Sequence, residues 1–324
     1  MSSNSNLHKA KNEKNNEFYT QLADVARELI HYKEHFKGKV IFCNCNDSIE
    51  SAFWQYFHLN FAELGLKRLI STSYSQTEPA YEMIYSGGED ENIEAGDKVP
   101  LIGNGDFRSQ ECIEILKEAD VICTNPPFSL FKEYLSLLMG YHKKFVIIGN
   151  VNAISYKESF HLLKNNEMWL GYGGSCTMTF KMPDYYELKG SAFIGEDGRK
   201  YIKMGSCAWY TNLDIQKRHE KIILWKNYND IDFPKYDNYD AINVRKTAEI
   251  PCDYYKEMGV PISFLNRYNP DQFEIIGLLI DYVGEDFIQG TPIYTDEKHK
   301  NSTCAVLNGK RQYAKILIRR KEES

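Results

Sequence analysis

No C-x-x-C pair occurs among the eight cysteines of this 324-residue chain, at positions 43, 45, 112, 123, 176, 207, 252 and 304. A structural zinc site of the usual spacing is therefore not expected. Cysteines such as Cys123, inside the apolar run VICT, read as small hydrophobes. The chain also lacks a secretory leader and any long apolar run, so it is read as a cytoplasmic, reduced protein with no membrane association. No internal repeat is present. Nor is there an excess of positive charge: 39 Lys and Arg against 45 Asp and Glu leave a net charge of −6. Taken alone, that argues against a nucleic-acid partner.

The distribution of charge weakens that argument. Residues 78–97 carry Glu78, Glu82, Glu89, Asp90, Glu91, Glu94 and Asp97 without one Lys or Arg. The segment GKRQYAKILIRRK (309–321) carries Lys310, Arg311, Lys315, Arg319, Arg320 and Lys321 without one acid. DNA stays open as a partner. Aromatic residues, at 14%, exceed what a core alone usually requires; base stacking and a bias in codon usage both explain such a surplus.

Residues 1–16 are polar and are expected to form a flexible arm. From there to about residue 150 helical and strand patterns alternate. A helical face of Leu22, Val25, Leu29 and Ile30 comes first, then the strand KVIFCN (39–44). A helix follows over DSIESAFWQYFHLNFAEL, with Asp47 or Ser48 as its N-cap. KRLISTSY (67–74) is a second strand, and the acidic segment to about residue 98 reads as an insertion or long loop. The helix IEILKEAD (113–120) leads to the strand VICT (121–124), the helix SLFKEYLSLLMGY and the strand KKFVIIGN (143–150). Such alternation predicts a parallel, doubly wound α/β sheet, whose ligands bind at the carboxyl ends of its strands. MWLGYGG, CTMTFKMP, KYIKMG and CAWYTNL are short strand candidates that finish this sheet. Beyond residue 218 the chain is rich in Tyr, Asn and Asp and reads as a second, loop-rich region, ending in a strand at YAKILI.

The motif TNPPF sits at the end of the strand VICT, where a ligand is expected. An amino group conjugated to a purine ring is a poor nucleophile, because its lone pair is delocalised. Acceptors that bond both amino hydrogens let the nitrogen pyramidalise and attack a methyl sulfonium. The Asn125 side-chain carbonyl and the Pro126 backbone carbonyl are the candidate acceptors. Neither Pro126 nor Pro127 has an N–H, so the turn is stiff. Phe128 offers a face for an extruded base, with stacking of roughly 1–3 kcal/mol. The competing reading is a strand-terminating turn, for which Asn-Pro is a common initiator; the apolar strand before the motif, with Asp120 ahead of it and Thr124 at its end, favours the functional one.

With these residues in view, the chain resembles the EcoRI-type adenine-specific DNA methyltransferases over nearly its whole length. The matching stretches are NEFYTQ, FCNCND, LGLKRLI, GDFRS, VICTNPPFSLFKEYL, KKFVIIGNVNAISYKE, WYTNLD, FPKYDNYDAINV and MGVPISFLNRYNPDQFE. The resemblance implies a Rossmann-like class I methyltransferase sheet over 17–218, with a target-recognition region over 219–324. It implies S-adenosylmethionine as methyl donor and double-stranded DNA as partner, a monomer in solution, and a role as the modification enzyme of a restriction–modification system. Asp106 is then expected on the amino group of the donor's adenine and Phe107 against its ring, with capping of the next helix by Asp106 as the less favoured alternative. Cys43, Asn44, Cys45 and Asp47 replace the glycines usual in the first strand-to-helix turn, with strand packing as the alternative for both cysteines. Phe18, Tyr19 and Thr20 are placed in the segment that closes over the methionine moiety; Thr20 could instead cap a helix. Asn125 is expected to serve both donor binding and catalysis. Ser71, Thr72 and Ser73 stand where related sites often hold a ribose-binding carboxylate. In the second region Arg218, Lys221, Lys226, Lys235, Arg245, Lys246 and Arg267 are phosphate candidates, and Asn238 and Asn243 could read adenine edges; a solvated surface explains more than half of them. Since NPP[YF] also serves other amines, the alternative is methylation of cytosine, RNA or a protein glutamine. No metal is expected.

Overall fold

Four short apolar runs build the centre of the molecule. β2 (Val40–Cys43) and β6 (Val121–Thr124) are buried at every position, and β3 (Arg68–Thr72) and β7 (Lys144–Asn150) at nearly every position. Strands covered on both faces read as continuous hydrophobic runs, which is the signature of a parallel sheet. β2 pairs in parallel with β3 on one side and β6 on the other, and β6 pairs in parallel with β7. The structure, a computed structural model, describes residues 19–44, 49–75, 79–182, 185–280 and 304–322. The expected arm of residues 1–16, together with Phe18, Cys45 and Asp47, lies outside the described residues, and of Tyr19 only the backbone is described.

Antiparallel strands extend this centre on both sides. The remaining strands are β1 (Tyr19–Thr20), β4 (Tyr81–Tyr85), β5 (Asp97–Pro100), β8 (Trp169–Lys181), β9 (Ala192–Ile194) and β10 (Lys200–Thr211). The order across the sheet is β1-β8-β10-β7-β6-β2-β3-β4-β5, with β9 paired to β10. The chain runs outward from β2 to β3 and later returns to the opposite side of β2 to form β6. The order of strands therefore reverses between β2 and β6, the point at which open α/β sheets bind ligands.

Three elements differ from the sequence reading, each for a physical reason. The acidic segment is not a long loop: β4 and β5 pair antiparallel, Tyr81 opposite Pro100 and Ile84 opposite Asp97. Met83 and Tyr85 bury one face of β4, Glu82 is half-buried within that strand, and Asp97 lies on the exposed edge strand β5. The connection is stitched to the helix Ala52–Leu59, where Trp54 Nε1 donates to the Ile93 carbonyl at 2.8 Å and the Tyr85 hydroxyl to Asp90 at 2.6 Å. That helix starts later than expected. Ser51 is extended and its carbonyl accepts from Gln55 N at 3.0 Å, so Ser51 is the N-cap instead of Asp47 or Ser48. The short strands expected over 168–213 are two long ones, β8 and β10. Glycines that suggested breaks in β8 instead admit a carboxylate: a Cβ on Gly171 would lie 2.3 Å from Glu28 Oε1. Buried Glu28 accepts from Tyr32 Oη (2.7 Å), Tyr172 N (2.6 Å) and Gly173 N (2.7 Å), tying the helix Leu22–Leu29 to β8. Leaving a buried polar group of this kind without its partners costs roughly 1–3 kcal/mol.

By contacts the chain forms two compact units. The first takes residues up to Val151 and Leu170–Leu213; the second takes Asn152–Trp169 and Asp214 onward. The sequence reading drew one boundary after residue 218. The helix Lys157–Lys164 joins the second unit because Phe160 and Leu163 are buried and the helix packs on β13 (Phe273–Leu279). This second unit is not loop alone. β11 (Ile242–Asn243), β12 (Met258–Pro261), β13 and β16 (Lys315–Arg320) form a sheet in the order β11-β12-β16-β13, and β14 (Val306–Leu307) pairs antiparallel with β15 (Lys310–Arg311). Tyr236, Ala241, Leu279, Ala305 and Leu317 pack together within this unit.

Candidate active site

The β2–β6 reversal brings two polar strand ends together under an otherwise apolar sheet. Thr124, the last residue of β6, donates its hydroxyl to the Asn44 backbone carbonyl just past β2. The Asn44 side-chain oxygen accepts in turn from the Tyr134 hydroxyl. Tyr134 comes from the helix Phe131–Gly140, which the NPPF turn launches, and its ring meets Phe107 edge-on with centroids 5.0 Å apart. Asn44, Phe107, Thr124 and Tyr134 are all buried. One continuous chain of contacts thus links FCN, GDF, the end of VICT and the helix after NPPF.

The NPPF turn has a defined form. Pro126 is buried, while Asn125, Pro127 and Phe128 keep partial exposure at the strand end. Pro127 holds φ −54° and its carbonyl accepts from Leu130 N at 2.9 Å, which starts a short 3-10 turn over Phe128–Leu130. Among the described residues no backbone donor occupies the Pro126 carbonyl. Without N–H groups of their own, the two prolines cannot fold back to claim it.

Gly105 carries the GDF loop close to β3. Its φ is +76°, and a Cβ there would lie 1.8 Å from the Ser73 carbonyl oxygen. Only glycine permits this approach. Asp106 follows, and it does not cap the helix Gln110–Glu118; Ser109 does, accepting from Cys112 N at 3.2 Å. Asp106 instead receives Arg108: Oδ1 accepts from Arg108 N and Nε, both at 2.9 Å, and Oδ2 from an Arg108 terminal nitrogen at 2.7 Å. The Arg108 hydrogen bonds hold the Asp106 carboxyl below its ordinary range, so it is ionised at neutral pH. A carboxylate has about four lone-pair positions, so this fork leaves Asp106 able to accept from a further amine.

Other candidate positions are placed differently. Cys43 lies in β2 opposite Ser71 of β3, and burial pushes its thiol well up. Burial does the same to Cys123. Protonated, enclosed thiols act by packing. Thr20, in β1, pairs with Phe180 at the sheet edge, with β8, β10 and β7 between β1 and β6. Its hydroxyl is buried without a hydrogen-bond partner among the described residues. The same holds for the Ser71 and Thr72 hydroxyls at the end of β3, although Thr72 also lies against the Cys112 thiol. Uncommitted hydroxyls at strand ends, an ionised carboxylate and an aromatic surface suit a polar, nucleoside-like ligand. Tyr134 and Arg108 were not singled out from the sequence. Tyr134 reads there as one more apolar position of a helix, and only its burial forces the hydroxyl to find a partner.

The model of the adenine-specific methyltransferase EcoRI family matches residues 6–321 of this chain. The chain belongs to that family. Type II methyltransferase M.EcoRI of Escherichia coli is 46% identical over 334 residues, covering 97% of this chain and 96% of the relative. Type II methyltransferase M.MpnI of Mycoplasma pneumoniae is 37% identical, covering 98% of each chain. Type II methyltransferase M.MgeORF184P of Mycoplasma genitalium is 39% identical, covering 98% of this chain and 99% of the relative. As a member of the adenine-specific methyltransferase EcoRI family, the protein transfers a methyl group and requires a methyl donor. The family match spans both units, so the family is defined by the second unit as much as by the parallel sheet.

Proposed function

We propose that this protein methylates the exocyclic amino nitrogen of adenine in duplex DNA, using S-adenosylmethionine, as the modification enzyme of a restriction–modification system. The observation that carries the reading is the convergence of Asn44, Thr124, Phe107 and Tyr134 at the β2–β6 reversal, directly beside Asn125 and Pro126. When bound, the donor supplies a methyl group activated on a sulfonium. Asn44, Asp106 and Phe107 would hold it, with Asp106 accepting from the donor's adenine amine and Phe107 lying against the ring; the Ser71 and Thr72 hydroxyls are the chain's polar groups available for the ribose. Cys43 contributes through its backbone at the strand end, its thiol being packed. Thr20, with Tyr19, belongs to the closing segment in this reading.

Asn125 and Pro126 bind and orient the target amine. The side-chain carbonyl of Asn125 accepts one amino hydrogen and the Pro126 carbonyl accepts the other, drawing the nitrogen's lone pair out of conjugation. Phe128 supports the base from its face, which requires that the base leave the duplex stack. Pro127 keeps the turn rigid. The site needs no covalent intermediate; alignment and electrostatics supply the rate. The decisive assay offers labelled donor with duplex DNA, RNA and protein in parallel. Label is expected on DNA, and label confined to RNA or protein would overturn the proposal.

A further inference from the structure

The second unit carries a cavity of about 390 Å³, lined among others by Asn243, Arg245, Leu307, Gln312, Tyr313 and Lys315. Among the described residues no carboxylate contributes to its lining. Two cations share it. Lys315 opens β16, and its ammonium is fixed by a 3.0 Å bond to the Val244 carbonyl. Burial, and then the neighbouring charge of Arg245, holds that ammonium below the ordinary lysine range. Arg245 is exposed and enters no ion pair among the described residues.

Several neighbouring cations are already engaged. Lys226, Lys235 and Lys246 pair with Asp232 (3.3 Å), Asp240 (3.2 Å) and Glu249 (3.9 Å). The Arg218 guanidinium lies 3.9 Å from the centre of the Trp169 ring and bonds Asn166 at 2.8 Å. Within the basic segment 309–321, Arg319 pairs with Glu257 at 2.9 Å and Lys321 donates to the Pro270 carbonyl at 2.7 Å. Among the described residues neither Arg245 nor Lys315 forms an ion pair, and the two flank one cavity; Asp232, which feels the charge of Arg245 beyond ion-pair distance, is itself paired with Lys226. Like charges held together without an acid favour an anion between them.

We propose that this cavity seats one backbone phosphate of duplex DNA, held between the Arg245 guanidinium and the Lys315 ammonium. The Tyr313 side chain, 95% exposed at the rim, lies against the adjoining sugar. The two amides are partly committed: Asn243 Oδ1 accepts from the Tyr236 hydroxyl at 2.9 Å, and Gln312 Nε2 donates to the Lys310 carbonyl at 3.1 Å. The cavity therefore positions the duplex and does not read its sequence. This inference rests on DNA being the substrate.

The test is fluorescence anisotropy of two labelled duplexes of unrelated sequence, titrated against salt. The variants are Arg245→Gln and Lys315→Met, with the exposed Lys67→Gln of the first unit as control. Loss of one phosphate contact makes the plot of log affinity against log salt shallower by about 0.9, with affinity about tenfold weaker at roughly 0.1 M salt. Both duplexes should weaken equally and Lys67→Gln should match the wild type. Arg245 is exposed, so its variant reads binding even if Lys315→Met unfolds, which a thermal melt reveals. A wild-type slope and affinity for Arg245→Gln overturn the inference, as does a loss confined to one duplex or an equal loss for Lys67→Gln. A wild-type protein that binds neither duplex overturns the DNA reading itself.

Discussion

Replacing Tyr134 by Phe removes one oxygen from a fully buried side chain and leaves its packing volume unchanged. The consequence falls on Asn44, whose side-chain oxygen loses a donor in a place that water does not reach. Leaving a buried acceptor short of its partner costs roughly 1–3 kcal/mol. Urea unfolding followed by tryptophan fluorescence should show that loss with an unchanged slope in the transition reported by Trp54 and Trp209 of the first unit, read with Trp169 and Trp225 of the second unit replaced by Phe. A second background sharpens the test. In Asn44→Ala the acceptor is already gone, and removing both members of a buried pair is close to neutral. Adding Tyr134→Phe there removes a hydroxyl that has lost its acceptor, so it should cost no stability and can restore some. Equal costs in the two backgrounds, or a Tyr134→Phe variant as stable as the wild type, would refute the claim that Tyr134 braces Asn44.

Asn125→Ala should lower kcat by about 10²–10³, the scale for losing one oriented polar group at a reacting centre, while calorimetry shows donor affinity within about threefold of the wild type (about 0.65 kcal/mol). Parallel loss of both would count against its role as an amine acceptor. His219 bonds Asp271 at 2.8 Å and Asp214 at 3.0 Å, and those carboxylates raise its pKa, Asp271 most. The stabilisation is complete below the unfolded value of about 6.5 and is lost as pH rises through the raised folded value. With the side chain 42% exposed the effect stays below about 1 kcal/mol. Melts of His219→Gln should therefore fall below wild type near pH 6 and converge with it near pH 9; a pH-independent difference would rule out titration as the cause.

The parallel strands were legible because burial on both faces writes itself as unbroken apolar runs: VICT is a strand over its four expected residues. The strand pair β4–β5 was not, because β5 is exposed along its length and only Met83 and Tyr85 report the buried face of β4. Gly171 and Gly173 read as breaks in β8 because their real cause, the Glu28 carboxyl group, lies more than 140 residues away in the chain. At the site, the motif residues were readable one by one. Their connection through Tyr134 and the Arg108 fork on Asp106 was not, because hydroxyl and guanidinium partners are chosen by packing and leave no periodic trace.

The central claim is that the NPPF turn presents an adenine amine of DNA for methylation. Wild type and Asn125→Ala, each incubated with labelled S-adenosylmethionine and duplex DNA that is then digested to nucleosides, test it most directly. The account predicts label on the amino nitrogen of deoxyadenosine for the wild type and nearly none for the variant. Label on deoxycytidine, or equal label from both proteins, would contradict it.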